Sequence, residues 1–237
     1  KESSSKAVLS GLPRLDSITK QENLPASSLA SWPSQNLKEQ IRVLWMPDDS
    51  FYWYLTPEKN GYSTFMEYYQ FMGNLIKANP GIDFILYPHP HMFQELNKMI
   101  GFKHSQYLKQ KFNRYPNSCI IEFEDYIPLL QTADAIITDC WSVAVEAVPI
   151  KKPILVLESP NGPGCNLLGQ HTLRHHYKAK NIEEIEYFLE EVVIKKQDPL
   201  YDLRLYTFFN EVYASKEGAT QIIKDTLYAF LESQQAA

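Results

Sequence analysis

The sequence predicts an α/β fold: a doubly wound parallel sheet followed by a helical C-terminal tail. Three observations carry this. Five short apolar runs recur between residues 41 and 157, several apolar throughout, as strands covered on both faces are. Segments of helical pattern separate them, and strand–helix–strand alternation implies right-handed crossovers. After the fifth run only helical pattern follows.

Taken in order, residues 1–40 are rich in Ser, Pro and Gln, with turn signals at Gly11-Leu12-Pro13-Arg14 and Trp32-Pro33. They read as a linker or an arm lying across the surface, so ordered structure is expected to begin near Ile41. The predicted strands are Ile41–Met46, Asp83–Tyr87, Cys119–Phe123, Ala135–Thr138 and Ile154–Leu157. Between them, Thr64–Ala78, His91–Ile100, Ser105–Phe112, Tyr126–Thr132 and Ser142–Val148 have helical character. The tail holds Ile182–Lys195, Pro199–Ala214 and Glu217–Ser233, with no strand between them. Residues 41–237 are thus expected to form one α/β domain.

Composition narrows the function classes. The chain has 237 residues, 44% of them hydrophobic, enough to bury a real core. Lys and Arg total 23 against 28 Asp and Glu, a net charge of −5, which is not the basic footprint of a nucleic-acid binder. No apolar run approaches the roughly 18–20 residues of a membrane span. The start at Lys1 is not a signal peptide, and the chain is expected to be a fragment of something longer. Cys119, Cys140 and Cys165 are odd in number and widely spaced, against a disulfide framework or a Cys-rich zinc site. A cytoplasmic setting follows, with no cofactor and no metal site expected.

Doubly wound sheets bind ligands outside the carboxyl ends of their strands. The segment Thr138-Asp139-Cys140-Trp141-Ser142 lies where a buried strand turns into a helix. Free backbone N–H groups and the hydroxyl of Ser142 suit a phosphate there. Asp139 or Ser142 as a plain helix cap is the other reading. Glu146, one turn on, suits a ribose hydroxyl or simply faces solvent. His89, between Pro88 and Pro90 after the second strand, is placed for proton transfer or phosphate pairing. A strand-end histidine bonded to a nearby carbonyl is the alternative. His91 is a secondary candidate at the next helix start. His171, His175 and His176 read as surface histidines. Lys103, His104, Lys109, Lys111 and Arg114 read as a solvated basic face, and Phe51-Tyr52-Trp53-Tyr54 as a stacking or packing cluster.

In order, these segments resemble one family. Gly11-Leu12-Pro13-Arg14-Leu15-Asp16 is similar to the Gly-x-Pro-Arg-x-Asp stretch of CDP-glycerol glycerophosphotransferases, the teichoic-acid primases and polymerases of bacterial envelopes. Arg42–Pro47 sits at that family's strand ending in Ala-Pro-Thr, and His89-Pro90 matches its His-Pro motif. Asp125-Tyr126-Ile127-Pro128-Leu129-Leu130 through Thr138, Asp139 and Ser142 resembles its acidic, Leu-Leu, Ile-Thr-Asp-Tyr-Ser-Ser run. Lys152-Pro153-Ile154 and Glu217-Gly218-Ala219-Thr220-Gln221-Ile222-Ile223 follow in register.

The resemblance implies a Rossmann-like domain, the C-terminal, donor-nucleotide half of a GT-B transferase, with the N-terminal acceptor half outside this chain. It implies His89 as the catalytic histidine of this half. Ser142 would hold the pyrophosphate, Thr138 and Asp139 would shape the turn, and Glu146 would stand at an acidic position. Asp125 and Thr220 are secondary candidates from the matched segments. The sequence departs at Trp141, which replaces the first Ser of the pair, at Pro47-Asp48-Asp49, where the family carries Thr and Arg, and at Gln221. The loop Ser159–Gly164 differs as well. The expected activity is transfer of a polyol phosphate from CDP-glycerol or a similar donor to a glycan or lipid-linked acceptor, at the inner face of the membrane. A nucleotide-sugar glycosyltransferase and a non-catalytic nucleotide- or glycan-binding domain are the alternatives.

Overall fold

The computed structural model describes residues 7–19, 31–34, 40–51, 61–122, 125–160, 162–213 and 218–235. Tyr52, Trp53 and Tyr54 of the aromatic run, the expected strand end at Phe123, and Glu124, Asn161 and Glu217 lie outside the described residues.

Six parallel strands form one sheet: β1 (Ile41–Met46), β2 (Ile82–Leu86), β3 (Ser118–Ile120), β4 (Ala135–Thr138), β5 (Ile154–Leu157) and β6 (Tyr177–Ala179). Their spatial order is β3-β2-β1-β4-β5-β6. Trp45 of β1 lies opposite Leu86 on one side and Ile137 on the other. Strand order therefore reverses between β1 and β4, and that gap is where a doubly wound sheet opens its ligand crevice.

The two faces of the sheet are both covered, which is why its strands are apolar without alternation. Side chains of successive strand residues point to opposite faces. Val43, Trp45, Phe84, Ile137 and Leu155 enter one core cluster; Leu44, Met46, Ile85, Ile136 and Ile154 enter the other. An arm helix, α1 (Pro13–Thr19), opens the chain. The first face carries α2 (Phe65–Ala78), α3 (Met92–Ile100) and α4 (Phe102–Phe112), with Trp45 stacked on Phe65 at 5.3 Å between ring centroids. The second face carries α5 (Ile127–Thr132) and α6 (Trp141–Glu146), the latter followed by a 3-10 turn over Val148–Ile150. Each large apolar side chain so buried contributes about 1.5–3 kcal/mol.

Beyond β5 come α7 (Leu167–Thr172), then β6, then α8 (Ile182–Tyr187), which runs on as a π-helical segment over Phe188–Ile194. Next is α9 (Tyr201–Thr207), widening at Phe208–Val212, and last α10 (Ala219–Gln235). No helix among the described residues is long and apolar enough to cross a membrane. The edge strand β6 and the short helix α7 are absent from the sequence expectation. β6 is three residues long with an exposed Lys178 at its centre, so it has no apolar run to announce it. His176, expected at the surface, is instead buried, with Nε2 3.1 Å from the carbonyl of Ala144; burial pushes its pKa down to about 4.

The arm is stitched to the domain more closely than a linker would be, and ordered structure begins well before Ile41. Leu15, Ile18 and Trp32 are buried in the second cluster. Trp32 Nε1 donates to Thr132 Oγ1 at 2.9 Å. Asp83 lies fully buried within β2, an unfavourable place for a carboxylate unless hydrogen-bonded. Ser34 answers it with its N–H at 3.0 Å and its hydroxyl at 2.7 Å.

Asp16 of α1 caps α10. Its Oδ1 accepts from Ala219 N (2.9 Å) and Tyr213 Oη (3.0 Å), and its Oδ2 from Thr220 N (2.7 Å). Burial works to raise this carboxyl, but those hydrogen bonds outweigh it and hold the pKa down to about 2. The preceding Gly218 sits at φ +92°, and a Cβ there would come within 3.2 Å of Asp16 Oδ2. Only glycine meets both demands. Two motif segments some 200 residues apart in sequence thus form one joint.

Candidate functional site

The crevice between β1 and β4 is knitted together by the turn after β4. Thr138 Oγ1 donates to the Met46 carbonyl (2.6 Å) and accepts from Cys140 N (3.0 Å), tying the two strand ends together. Asp139 turns inward and is fully buried. Its Oδ1 accepts from Asp48 N at 2.6 Å, and its Oδ2 accepts from Thr64 N at 2.5 Å and Thr64 Oγ1 at 2.8 Å. Asp139 therefore pins the loop after β1 and the start of α2 to the end of β4. Burial dominates its titration and pushes its pKa up to about 7 against those three donors.

That loop delivers Asp49 to His89. The His89 backbone N–H donates to Pro47 O at 2.9 Å, and its Nδ1 lies 3.1 Å from Asp49 Oδ2. Among the described residues, Nε2 makes no hydrogen bond. A carboxylate on Nδ1 fixes the ring's orientation and leaves Nε2 for a ligand. His91 occupies the N-cap of α3, exposed, its ring 5.7 Å from that of His89.

Between these groups lies a cleft of about 370 Å³, lined by Arg14, Met46, Tyr87, His89, Asp125, Tyr126 and Cys140 among others. Its wall is a compact cluster. The Arg14 guanidinium stands 4.4 Å over the Tyr126 ring and 3.3 Å from Glu146 Oε2, which also accepts from the Tyr126 hydroxyl. Burial, reinforced by Glu146, pushes the Tyr126 phenol up, and burial pushes the Cys140 thiol up to about 11. Cys140 is thus a neutral thiol at physiological pH and no ready nucleophile.

Ser142 is exposed at the start of α6, its Oγ 3.3 Å from Cys140 Sγ. Cys140 and Val143 of this turn line the first cleft, whereas Trp141 lines a second, of about 460 Å³, with Tyr62, Glu158 and Lys180. The structure thus gathers His89, Asp125 and Cys140 around one cleft, with Glu146 on its Arg14–Tyr126 wall and Ser142 beside it. Thr138 and Asp139 lie beneath, turned into the fold. Thr220 lies apart, exposed at the start of α10, where its N–H serves Asp16. Among the described residues no group of three or more His, Cys, Asp and Glu is placed to hold a metal ion.

Sequence reasoning did not single out Arg14, Asp49 or Tyr126. Arg14 and Tyr126 lay inside the matched motif segments, which was the available signal. Asp49 lies in Pro47–Ser50, which follows the first strand and so falls under the strand-end rule, and it also stood as a departure that removes positive charge; nothing local announces its partnership with a histidine 40 residues on.

No protein-family model and no curated protein matches the sequence. Solved structures do. S. aureus MnaA, in a co-structure with UDP, aligns over 96% of this chain and 55% of its own, at 14% identity and a TM-score of 0.57. The UDP-GlcNAc 2-epimerase of Neisseria meningitidis, bound to UDP-GlcNAc, aligns over 95% of this chain and 56% of its own, at 17% identity and 0.57. That of Methanocaldococcus jannaschii gives 94%, 56%, 15% and 0.56. The chain spans a little over half the length of these structures. At such identity the likeness establishes the fold: a Rossmann-like half of the GT-B architecture.

Proposed function

We propose that the cleft at the strand-order reversal binds the diphosphate of a nucleotide-linked donor. On this reading the chain is the donor half of a transferase that moves a polyol phosphate from a CDP-linked donor to a cell-envelope or capsule glycan. The observation that carries the reading is a convergence at the carboxyl end of the sheet. A cation from the arm (Arg14), the Asp49–His89 pair and the start of α6 meet where doubly wound folds take their ligands.

In this chemistry an acceptor hydroxyl attacks the donor's distal phosphorus. The new O–P bond forms, the P–O bond to CMP breaks, and the hydroxyl proton passes to a base supplied by the acceptor half. Negative charge grows on the phosphate oxygens as CMP leaves. His89 in its charged form donates from Nε2 to one of them while Asp49 holds Nδ1, and Ser142 donates to another. Arg14, paired with Glu146 through Nε, keeps the other N–H donors of its guanidinium for a phosphate, and Glu146 keeps Oε1 to accept from a ribose hydroxyl. The acceptor site and the second catalytic histidine belong to the N-terminal half, by the family resemblance.

Calorimetric titration of CDP, UDP and GDP tests this. CDP should bind at least about tenfold more tightly than the other two, a difference of about 1.4 kcal/mol. Preference for UDP, the nucleotide in the MnaA co-structure, would favour a nucleotide-sugar glycosyltransferase instead. Absence of binding by all three would overturn both.

A further inference from the structure

At the opposite, amino-terminal end of the sheet lies a third cavity, of about 510 Å³ and with a polar lining, which the proposed transfer does not use. It is framed by the starts of β1, β4 and β5 and by the end of the π-helical segment. Three of its lining residues are Lys151, Lys152 and Lys196. In a chain of net charge −5 this is a local reversal of sign.

The acidic residues of the cavity are already engaged. Asp134 accepts from Arg42 N at 2.9 Å. Asp198 is held by the buried Arg204 at 2.6 Å and by the Tyr177 hydroxyl at 2.8 Å. Among the described residues no carboxylate pairs with the three lysines.

The backbone adds a second observation. Lys151 and Lys196, at φ 63° and 56°, are the non-glycine residues with left-handed backbone among the described residues. Both follow a helical turn, a position that ordinarily falls to glycine or asparagine. A β-carbon there is strained, and the chain carries that strain at two places that face one cavity. A helix end favours a cation nearby, but glycine would meet the backbone demand without strain. What lysine adds at both places is an ammonium group.

We propose that this cavity binds the phosphate group of a small phosphorylated molecule, with Lys151, Lys152 and Lys196 as its counter-charges. Its volume and mainly polar lining suit a phosphorylated polyol or sugar. It is separate from the nucleotide crevice by the length of β1, six residues or about 20 Å at 3.3 Å per residue. The proposal does not depend on the transferase reading.

The test is an amide-shift titration of the protein with glycerol 3-phosphate, with glycerol as neutral control and inorganic phosphate as the minimal anion. Glycerol 3-phosphate and phosphate should move the amides of Lys151, Lys152 and Lys196; glycerol should not. The Lys151→Gly/Lys196→Gly double variant should raise the Kd for glycerol 3-phosphate at least tenfold, keep or raise Tm, and leave CDP affinity unchanged. Lys151→Gln/Lys196→Gln, which keeps the original backbone demand, should raise the Kd equally. Shifts confined to the nucleotide crevice, or an unchanged Kd in both variants, would overturn the proposal. So would binding to phosphatidylglycerol vesicles that needs these lysines while the soluble phosphates move nothing.

Discussion

Asp139→Asn should change stability in a pH-dependent way that the geometry fixes in sign. In the native fold the carboxylate accepts from two backbone N–H groups and one hydroxyl, all in a fully buried site. An amide offers only one acceptor oxygen, so either Asp48 N–H or Thr64 N–H faces an NH₂ group and loses its partner. A buried donor left unsatisfied costs about 1–3 kcal/mol. Against this, the native carboxyl has its pKa raised from 3.8 to about 7 by burial. A shift of that size makes the ionised form costly by about 4 kcal/mol above pH 7, a cost absent below pH 4. The folded state holds the extra proton, so native stability falls as pH rises through the window from about 4 to 7. The proton has a place on Oδ2 when the Thr64 hydroxyl turns to accept it. Asp139→Asn should therefore be less destabilising, or more stabilising, at pH 8 than at pH 5 by about 3 kcal/mol, two pH units of the window at about 1.4 kcal/mol each. Urea unfolding of both proteins at the two pH values measures the difference. His176, which titrates in the same range, is present in both proteins and drops out. A difference that is constant with pH, or that grows toward pH 8, would refute the argument; the three donors would then hold the carboxylate ionised throughout.

Further predictions concern the joint and the crevice. Asp16→Asn should cost about 1.5–3 kcal/mol at pH 7, the scale of hydrogen bonds to a charged group. Because the folded pKa is depressed to about 2, that contribution is present above about pH 4 and fades as pH falls toward 2, which acid unfolding will read. Gly218→Ala should weaken the same joint by about 1–3 kcal/mol through its positive φ and its approach to Asp16. Ser142→Ala should weaken CDP binding by about 1–2 kcal/mol and leave cytidine binding unchanged, as calorimetry can check. In the protein carrying the acceptor half, His89→Ala should cut turnover at least ~100-fold while His91→Ala stays mild. The reverse ranking would assign the chemistry to the wrong imidazole.

The sheet was legible because both of its faces are covered. Ile154–Leu157 is apolar throughout, Ala135–Thr138 is so up to its last residue and Ile41–Met46 is so save for Arg42, and the structure gives the predicted bounds. β2 begins one residue earlier than predicted, at Ile82. β6 was illegible because an edge strand of three residues with Lys178 at its centre has no period to detect. Residues 1–40 read as a linker or a surface arm because the buried anchors Leu15, Ile18 and Trp32 are scattered among polar residues, and Trp32 finds its hydrogen-bond partner Thr132 100 residues away. In the site, the strand-end rule placed His89 and Ser142 at the crevice from order alone. Asp139 looked in sequence like a turn residue open to a ligand or a cap for its own helix. Its partners, Asp48 and Thr64, lie 91 and 75 residues away, and no local pattern records them.

The most direct test of the central claim is a crystal structure of the protein with CDP. The diphosphate should lie in the cleft after β1 and β4, within about 3 Å of Ser142 and of His89 Nε2, with Arg14 on the same wall. CDP found instead at the Lys151–Lys196 end of the sheet, or the crevice empty at saturating CDP, would contradict it.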